Sequence, residues 1–297
     1  MIASVIIPVF RHWNVLSLCL KCLEAQSFPA EQFEIIVVNN DPSAPPPSDF
    51  SLPSNARLIE EPQKGSYAAR NAGLAVARGD VLCFTDADCQ PGPKWLETAV
   101  SHLQNQDGPA RIGGPIELIM SQHGRSWSEV YEKLTAFNQR RYIEGFHWSA
   151  TANMCTNAAT FDLVGPFDTS RFTGGDSEWG RRAQVAGVPI TFVEDLCVGH
   201  PSRATFRALS QKARRKTGGK VLEKANQKGR LRYTAEYLLG LPFRFIPPIV
   251  TRFRFLRRTD APLTERLQAY VIFYLLRVVR NIETGRILLL GFEPENR

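Results

Sequence analysis

Val81-Leu82-Cys83-Phe84-Thr85-Asp86-Ala87-Asp88 is the stretch whose reading decides the fold. Four mostly apolar residues suit a strand buried on both faces, and they run straight into two carboxylates one residue apart before Pro91-Gly92-Pro93 forces a turn. Ligands of open α/β sheets gather outside the carboxyl ends of the strands, so acids at such an end are placed to work. Two neighbouring carboxylates repel unless a cation or hydrogen-bond donors neutralise them. A hard divalent ion, Mg²⁺ or Mn²⁺, itself held by phosphate oxygens, answers that need. The competing reading is a solvated turn in which Asp88 caps the helix that begins near Pro93, so the flanking chain has to decide.

Upstream, Ser4 to Val9 reads as a buried first strand with no basic segment ahead of it, so no signal peptide is expected. Val15, Cys19, Cys22 and Leu23 recur at helical spacing, and Glu34 to Val38 forms a second buried strand ending in Asn39-Asn40-Asp41. The Pro/Ser-rich run from Pro42 to Ser54 is a loop, and Arg57 to Glu60 is a short third strand. Lys64-Gly65-Ser66 then opens an alanine-rich helix carrying Arg70 and ending at Arg78-Gly79-Asp80. Strand, helix and strand with short links make a parallel crossover, and its repetition gives a nucleotide-binding type of sheet.

Downstream, Pro93 to Gln104 and Trp127 to Phe137 read as helices, and Arg111 to Met120 as a strand with a glycine break. Arg140 to Ser149 reads as an aromatic-rich loop holding Tyr142, Phe146, His147 and Trp148, either a stacking platform for a sugar acceptor or core under a loop. Phe172 to Gly175 gives backbone freedom before Asp176, which stands at the start of a helix whose dipole favours a charged carboxylate. A plain helix cap there is the alternative. After a strand from Val188 to Val193 comes His200, a nitrogen ligand for a Mn²⁺-type ion or a turn residue bonded to backbone.

The order Val5-Ile6-Ile7-Pro8-Val9, Asn39-Asn40-Asp41, Gly65-Ser66 to Arg70-Asn71-Ala72-Gly73 and Asp86-Ala87-Asp88 resembles family 2 glycosyltransferases of the GT-A fold. The resemblance implies an α/β fold with a mixed, mainly parallel sheet between helices, and an inverting transfer of sugar from a nucleotide-diphospho-sugar to a hydroxyl acceptor. Asn39 and Asn40 stand where that family usually carries an acidic pair that reads base and ribose. By the same resemblance Pro8, Asn39, Asn40, Asp41, Gly65, Arg70 and Asp86 line the nucleotide-sugar, Asp88 holds the metal with His200, and Asp176 is the general base. Thr151-Ala152-Asn153-Met154 also matches, and Gly175 replaces an acid usual in the family. Trp148, Asn153, Arg214 and Arg215 are candidates for acceptor or leaving-group contacts, the two arginines as a bidentate diphosphate clamp or as a merely solvated face.

Charge divides the chain. Residues 1–202 carry 15 Lys+Arg against 22 Asp+Glu, and residues 203–297 carry 21 against 7. Basic and apolar pieces alternate from Tyr233 onward, around Leu238 to Phe243, Phe245 to Val250, and Arg252, Arg254, Arg257 and Arg258. The longest uncharged apolar run in this tail, Leu267 to Leu276, is far short of the roughly 20 residues that span a bilayer. The expectation is a catalytic domain over residues 1–230 and a basic amphipathic helical extension over 231–297, lying on an anionic leaflet or packed on the catalytic domain. Six cysteines lie mostly in apolar patterns, Cys19 and Cys22 on a helix stripe, so core thiols in a reducing compartment are expected rather than a zinc or redox pair. The expected place is cytoplasmic, on the inner face of the cell membrane, in polysaccharide or glycolipid synthesis with a saccharide or lipid-linked acceptor. The alternatives are a nucleotidyltransferase and a catalytically inactive assembly subunit. A nucleic-acid binder fits poorly, because no stacking module is interleaved with the basic tail.

Overall fold

The computed structural model describes residues 2–121, 125–248, 255 and 261–293. Four strands, β1 (Ala3–Val9), β2 (Phe33–Asn39), β3 (Ala56–Glu60) and β4 (Val81–Phe84), pair in parallel in the order β3-β2-β1-β4. Alternate side chains leave opposite faces of a strand, and here both faces are covered. Val5, Ile7, Val37 and Cys83 pack with α1 (Trp13–Glu24) and α3 (Trp95–Leu103), while Ile6, Ile36, Val38 and Phe84 pack with α2 (Ser66–Val76) and α7 (Gly175–Val185). That burial explains why these strands are apolar throughout. Pro8 lies beyond the β4 pairing, which ends at Ile6, where a residue without an N–H is tolerated.

Past β4 the sheet turns antiparallel. β8 (Met154–Asn157) runs opposite to both β4 and β6 (Arg111–Gly113), and β9 (Ile190–Phe192) closes the edge parallel to β6. The sheet is therefore mixed and mainly parallel, as the resemblance implied. β8 has no counterpart in the sequence reading, since Met-Cys-Thr-Asn is too short and too polar to show a strand period. The strand read from Arg111 to Met120 is two strands, with β7 (Ile116–Ile119) joining a small sheet of order β5-β10-β7, where β5 is Gln90–Pro91 and β10 is Val198–Pro201. Gly114 makes the break possible, because a Cβ there would stand 2.0 Å from the Leu196 carbonyl oxygen. The supposed loop from Arg140 to Ser149 is mostly helix, α5 (Gln139–Phe146). Its start is capped by Asn138 accepting the Arg141 N–H, and left-handed His147 ends it.

Two compact units divide the chain, Met1–Ile119 with Phe137–Pro201, and Met120–Ala136 with Ser202–Arg297. This differs from the boundary read at 230. α4 (Trp127–Thr135) and α8 (Phe206–Lys228) belong with the last helix, Leu263–Leu290, because their apolar stripes pack there: Val130 and Leu134 with Ala269, Leu209 and Ala213 with Ile272 and Leu276. α9 (Arg230–Leu239) adds Tyr237, clustered with Val221 and Ile287, and α10 (Leu241–Arg244) follows it. Ile249, Val250, Arg252, Arg254, Arg257 and Arg258 lie outside the described residues. Among those described, no helix is long and apolar enough to cross a membrane.

Glu129 anchors the second unit. The carboxylate closes a capping box with Ser126 and accepts from the Ser121 N–H and the Ser202 hydroxyl, each at 2.7 Å. Burial opposes its ionisation, but these donors outweigh burial and hold its carboxyl at about 2, below the ordinary 4.5. The unfolded chain therefore binds a proton that the folded chain excludes, so this stabilisation is present above pH 4.5 and fades as pH falls toward 2. Urea unfolding between pH 5 and 2 should show Glu129→Gln losing less stability on acidification than the parent, and parallel losses would contradict this account.

Candidate active site

The β4 strand delivers its acids as expected, and the turn after it is closed by the Cys89 N–H on the Asp86 carbonyl at 3.0 Å. Asp88 does not cap α3, whose N-terminal cap is Lys94 without a side-chain bond. The small sheet places the next group. β10 runs antiparallel to β5 with Gly199 opposite Gln90, and one step further along that register His200 faces Cys89. His200 Nε2 then stands 3.7 Å from Asp88 Oδ2. Nδ1 lies 2.8 Å from the Pro201 carbonyl, which can only accept, so Nδ1 donates there and the lone pair of a neutral ring is on Nε2. Ligand atoms of Asp88, Cys89 and His200 lie within 4.8 Å of one another. Burial, followed by the Asp86 and Asp88 charges, pushes the Cys89 thiol well above its usual range. Carboxylate and imidazole are the ready ligands, and these residues fit a divalent ion.

α2 ties two distant carboxylates together. Arg70, 3% exposed, holds Asp86 Oδ1 through Nη2 and lies 5.6 Å from the Tyr67 ring centroid. One turn earlier, the Tyr67 hydroxyl meets Asp176 in the first turn of α7. Gly65 starts α2 with φ +128, and a Cβ there would meet nothing within 4 Å, so conformation rather than space demands glycine at this position. α7 is itself braced by Arg111, a buried guanidinium that donates to the carbonyls of His147, Gly180 and Val188, with burial lowering its pKa to about 10.

The other expected residues separate into two groups. Asn39 is fully buried at the end of β2, with Oδ1 accepting the Asp41 N–H and Nδ2 lacking a partner among the described residues. Trp148 stacks on Tyr142 at 4.4 Å and 11°, leaving no room for a side chain at Gly180. Asn40 departs from the nucleotide role expected of it, because its amide is engaged with the Glu61 and Gln63 carbonyls and the Gly65 N–H. Asp41 pairs with Arg11; the Ser43 hydroxyl first, then Arg11, holds its carboxyl below the usual range. Asn153 is not at an acceptor site. Fully buried, it accepts from Trp95 Nε1 and donates to the Pro115 and Leu196 carbonyls, joining α3 to the strand ends. Arg214 and Arg215 lie half-buried on α8 of the second unit. Tyr67 was missed because nothing local marks it off from any aromatic on a buried helix face.

Arg70 is buried while Asp86 is 37% exposed, so removing the carboxylate leaves the buried guanidinium without its counter-charge. Asp86→Ala should cost about 2 kcal/mol in urea unfolding, and adding Arg70→Met should restore most of that loss. A single variant as stable as the parent would show the guanidinium compensated by other groups.

The family model described as Glycosyl transferase family 2 matches residues 4–159, and one described as Glycosyl transferase family group 2 matches residues 82–280. Glycosyltransferase AglE of Haloferax volcanii is 31% identical over 292 residues, 96% of this chain and 94% of the relative. The pre-mycofactocin glycosyltransferase of Mycobacterium tuberculosis is 24% identical, over 69% of this chain and 43% of its own length. Among solved structures, S. aureus TarS 1-349 in complex with UDP-GlcNAc aligns with a TM-score of 0.51 at 18% identity, covering 72% of this chain and 66% of that one. GalNAc-T7 with UDP, GalNAc and Mn2+ aligns with a TM-score of 0.51 at 16% identity, covering 71% and 47%. These two share its fold. A strand-end acid pair inside this sheet, a family match over more than half the chain and a relative alike along nearly its whole length agree: the chain belongs to glycosyl transferase family 2 and is a glycosyltransferase.

Proposed function

We propose that the protein moves a sugar from a nucleotide-diphospho-sugar to a hydroxyl acceptor with inversion, in the synthesis of a cell-surface polysaccharide or glycolipid. The observation that carries this reading is the meeting of Asp88 with an Nδ1-protonated His200 at the end of β4, on the same unit as Asp176. Asp88 and His200 would hold a divalent ion, Mg²⁺ or Mn²⁺. When bound, it supplies charge to the departing diphosphate. Asp176 takes the proton of the acceptor hydroxyl as that oxygen attacks the anomeric carbon. A single displacement inverts that carbon, and no residue at the site is an evident covalent nucleophile. The unpartnered Nδ2 of Asn39 is a donor for the nucleotide, the Arg70–Asp86 pair follows at the end of β4, and the Trp148–Tyr142 stack offers a flat face for an acceptor sugar.

The two solved relatives carry UDP or UDP-GlcNAc, so UDP is the first nucleotide to try. Calorimetry should show UDP, or else GDP or dTDP, binding in the presence of Mn²⁺, with binding lost in Asp88→Ala and in His200→Ala. Failure of all three with and without metal would remove the transferase mechanism and favour an inactive assembly subunit.

The second unit supports docking on an anionic membrane surface from the cytoplasmic side. Leu267, Val271, Leu275, Ile282 and Leu289 stand exposed along one face of the last helix, and Phe243 and Ile246 are exposed at and just after α10. Residues 203–297 supply the complementary charge, with 21 Lys+Arg against 7 Asp+Glu. The protein should sediment with phosphatidylglycerol vesicles and not with phosphatidylcholine vesicles, and Val271→Glu with Leu275→Glu should abolish this. Equal absence from both pellets would reject membrane docking.

A further inference from the structure

α7 carries the proposed base but lacks a cap of its own. Its N-cap is Gly174, at φ +77, with no side-chain hydrogen bond to the first turn. The first amides of a helix have no partner within the helix. That of Asp176 is answered from another element: its N–H donates to the Tyr67 hydroxyl at 3.2 Å. The same hydroxyl donates to Asp176 Oδ1 at 3.4 Å, a long contact of the kind that tightens when substrate arrives. A phenol has one proton to give and lone pairs to accept, so both bonds form together.

The ring is seated as closely as the hydroxyl. Tyr67 is 6% exposed and packs 5.7 Å from the Phe167 ring. A Cβ on Gly175 would stand 2.7 to 2.9 Å from three of the Tyr67 ring carbons, so only glycine lets the ring rest on the α7 backbone. Burial first, and then the Asp176 charge, push the phenol well above its ordinary range, which keeps its proton in place to donate. From these contacts we infer that Tyr67 is a positioning residue: it caps α7 in trans and fixes the Asp176 carboxylate in the orientation from which it takes the acceptor proton. The inference rests on Asp176 being the base. The phenol proton stays on Tyr67 throughout, and Gly175 is the space that admits its ring.

Tyr67→Phe removes the hydroxyl and leaves the ring in its seat, so the variant should fold, with its thermal midpoint lowered only by the loss of one helix cap. The first readout needs no substrate. A carboxylate that loses a donor titrates at higher pH, so ¹³C NMR of the Asp176 carboxyl, assigned by its loss in Asp176→Asn, should move up by about half a unit or more in Tyr67→Phe. Besides Tyr67, this carboxylate faces the Ser177 N–H, which donates to Oδ1 at 2.9 Å, the Tyr142 phenol of α5 and, beyond the Tyr67 ring, the Arg70 guanidinium, and the substitution alters none of these side chains or amides. The second readout is release of UDP from UDP-GlcNAc with Mn²⁺. Tyr67→Phe should lower kcat about tenfold with KM within about twofold, and should cost nothing further in Asp176→Asn. An unmoved titration, or a parental kcat beside an inert Asp176→Asn, overturns the role of Tyr67 alone. Parental turnover by Asp176→Asn overturns the base, and the positioning role with it.

Discussion

A guanidinium buried to 3% exposure must be answered by charge or it unfolds its surroundings, and Arg70 is the group on which this site depends. Its answer is Asp86, delivered by the end of β4, with the Tyr67 ring on its flank. That pairing locks α2 against the strand-end turn. Because Tyr67 lies one helical turn before Arg70, the lock also sets where the hydroxyl meets α7. Strand-end acid, helix and the Asp176 carboxylate are thereby joined through two side chains of one element.

The small sheet performs the corresponding task for Asp88 and His200. Asp88 follows a strand of the large sheet, whereas His200 ends a strand that pairs with neither β4 nor its neighbours. Only the antiparallel pairing of β5 with β10 puts imidazole and carboxylate within reach. Asn153 secures that arrangement from beneath by binding the Pro115 and Leu196 carbonyls, which flank β7 and approach β10. A fully engaged amide of this kind holds strands in register, and it leaves no group to offer a ligand.

The second unit follows a different logic. Its helices bury narrow stripes against one another, as Leu209 and Ala213 do with Ile272 and Leu276, while Leu267, Val271, Leu275, Ile282 and Leu289 of the last helix are exposed among the described residues. Some of the basic residues in that part of the chain answer buried carboxylates, as Arg203 and Lys212 do for Glu132 and Arg286 does for Glu283.

Local pattern made much of this legible. Strands buried on both faces declare themselves by composition, so β1, β2 and β4 were placed within a residue, and the acids after β4 followed from where the apolar run stops. Glycines before Asp176 announced the start of α7 in the same way. What depended on partners distant in the chain was not legible. β8 is a strand only because β4 and β6 flank it, and α5 is a helix because Asn138 and His147 close its ends. Asn40 and Asn153 looked like ligands because an amide in a motif offers the same donors whether it faces substrate or a carbonyl. Which of these it faces is decided by register between elements distant in the chain, as when Tyr67 reaches Asp176 across 109 residues. The sequence by itself determined the parallel strands β1 to β4 and the class of chemistry. Tertiary structure alone decided which side chains meet, because hydrogen-bond geometry acts through space and leaves no period in the chain.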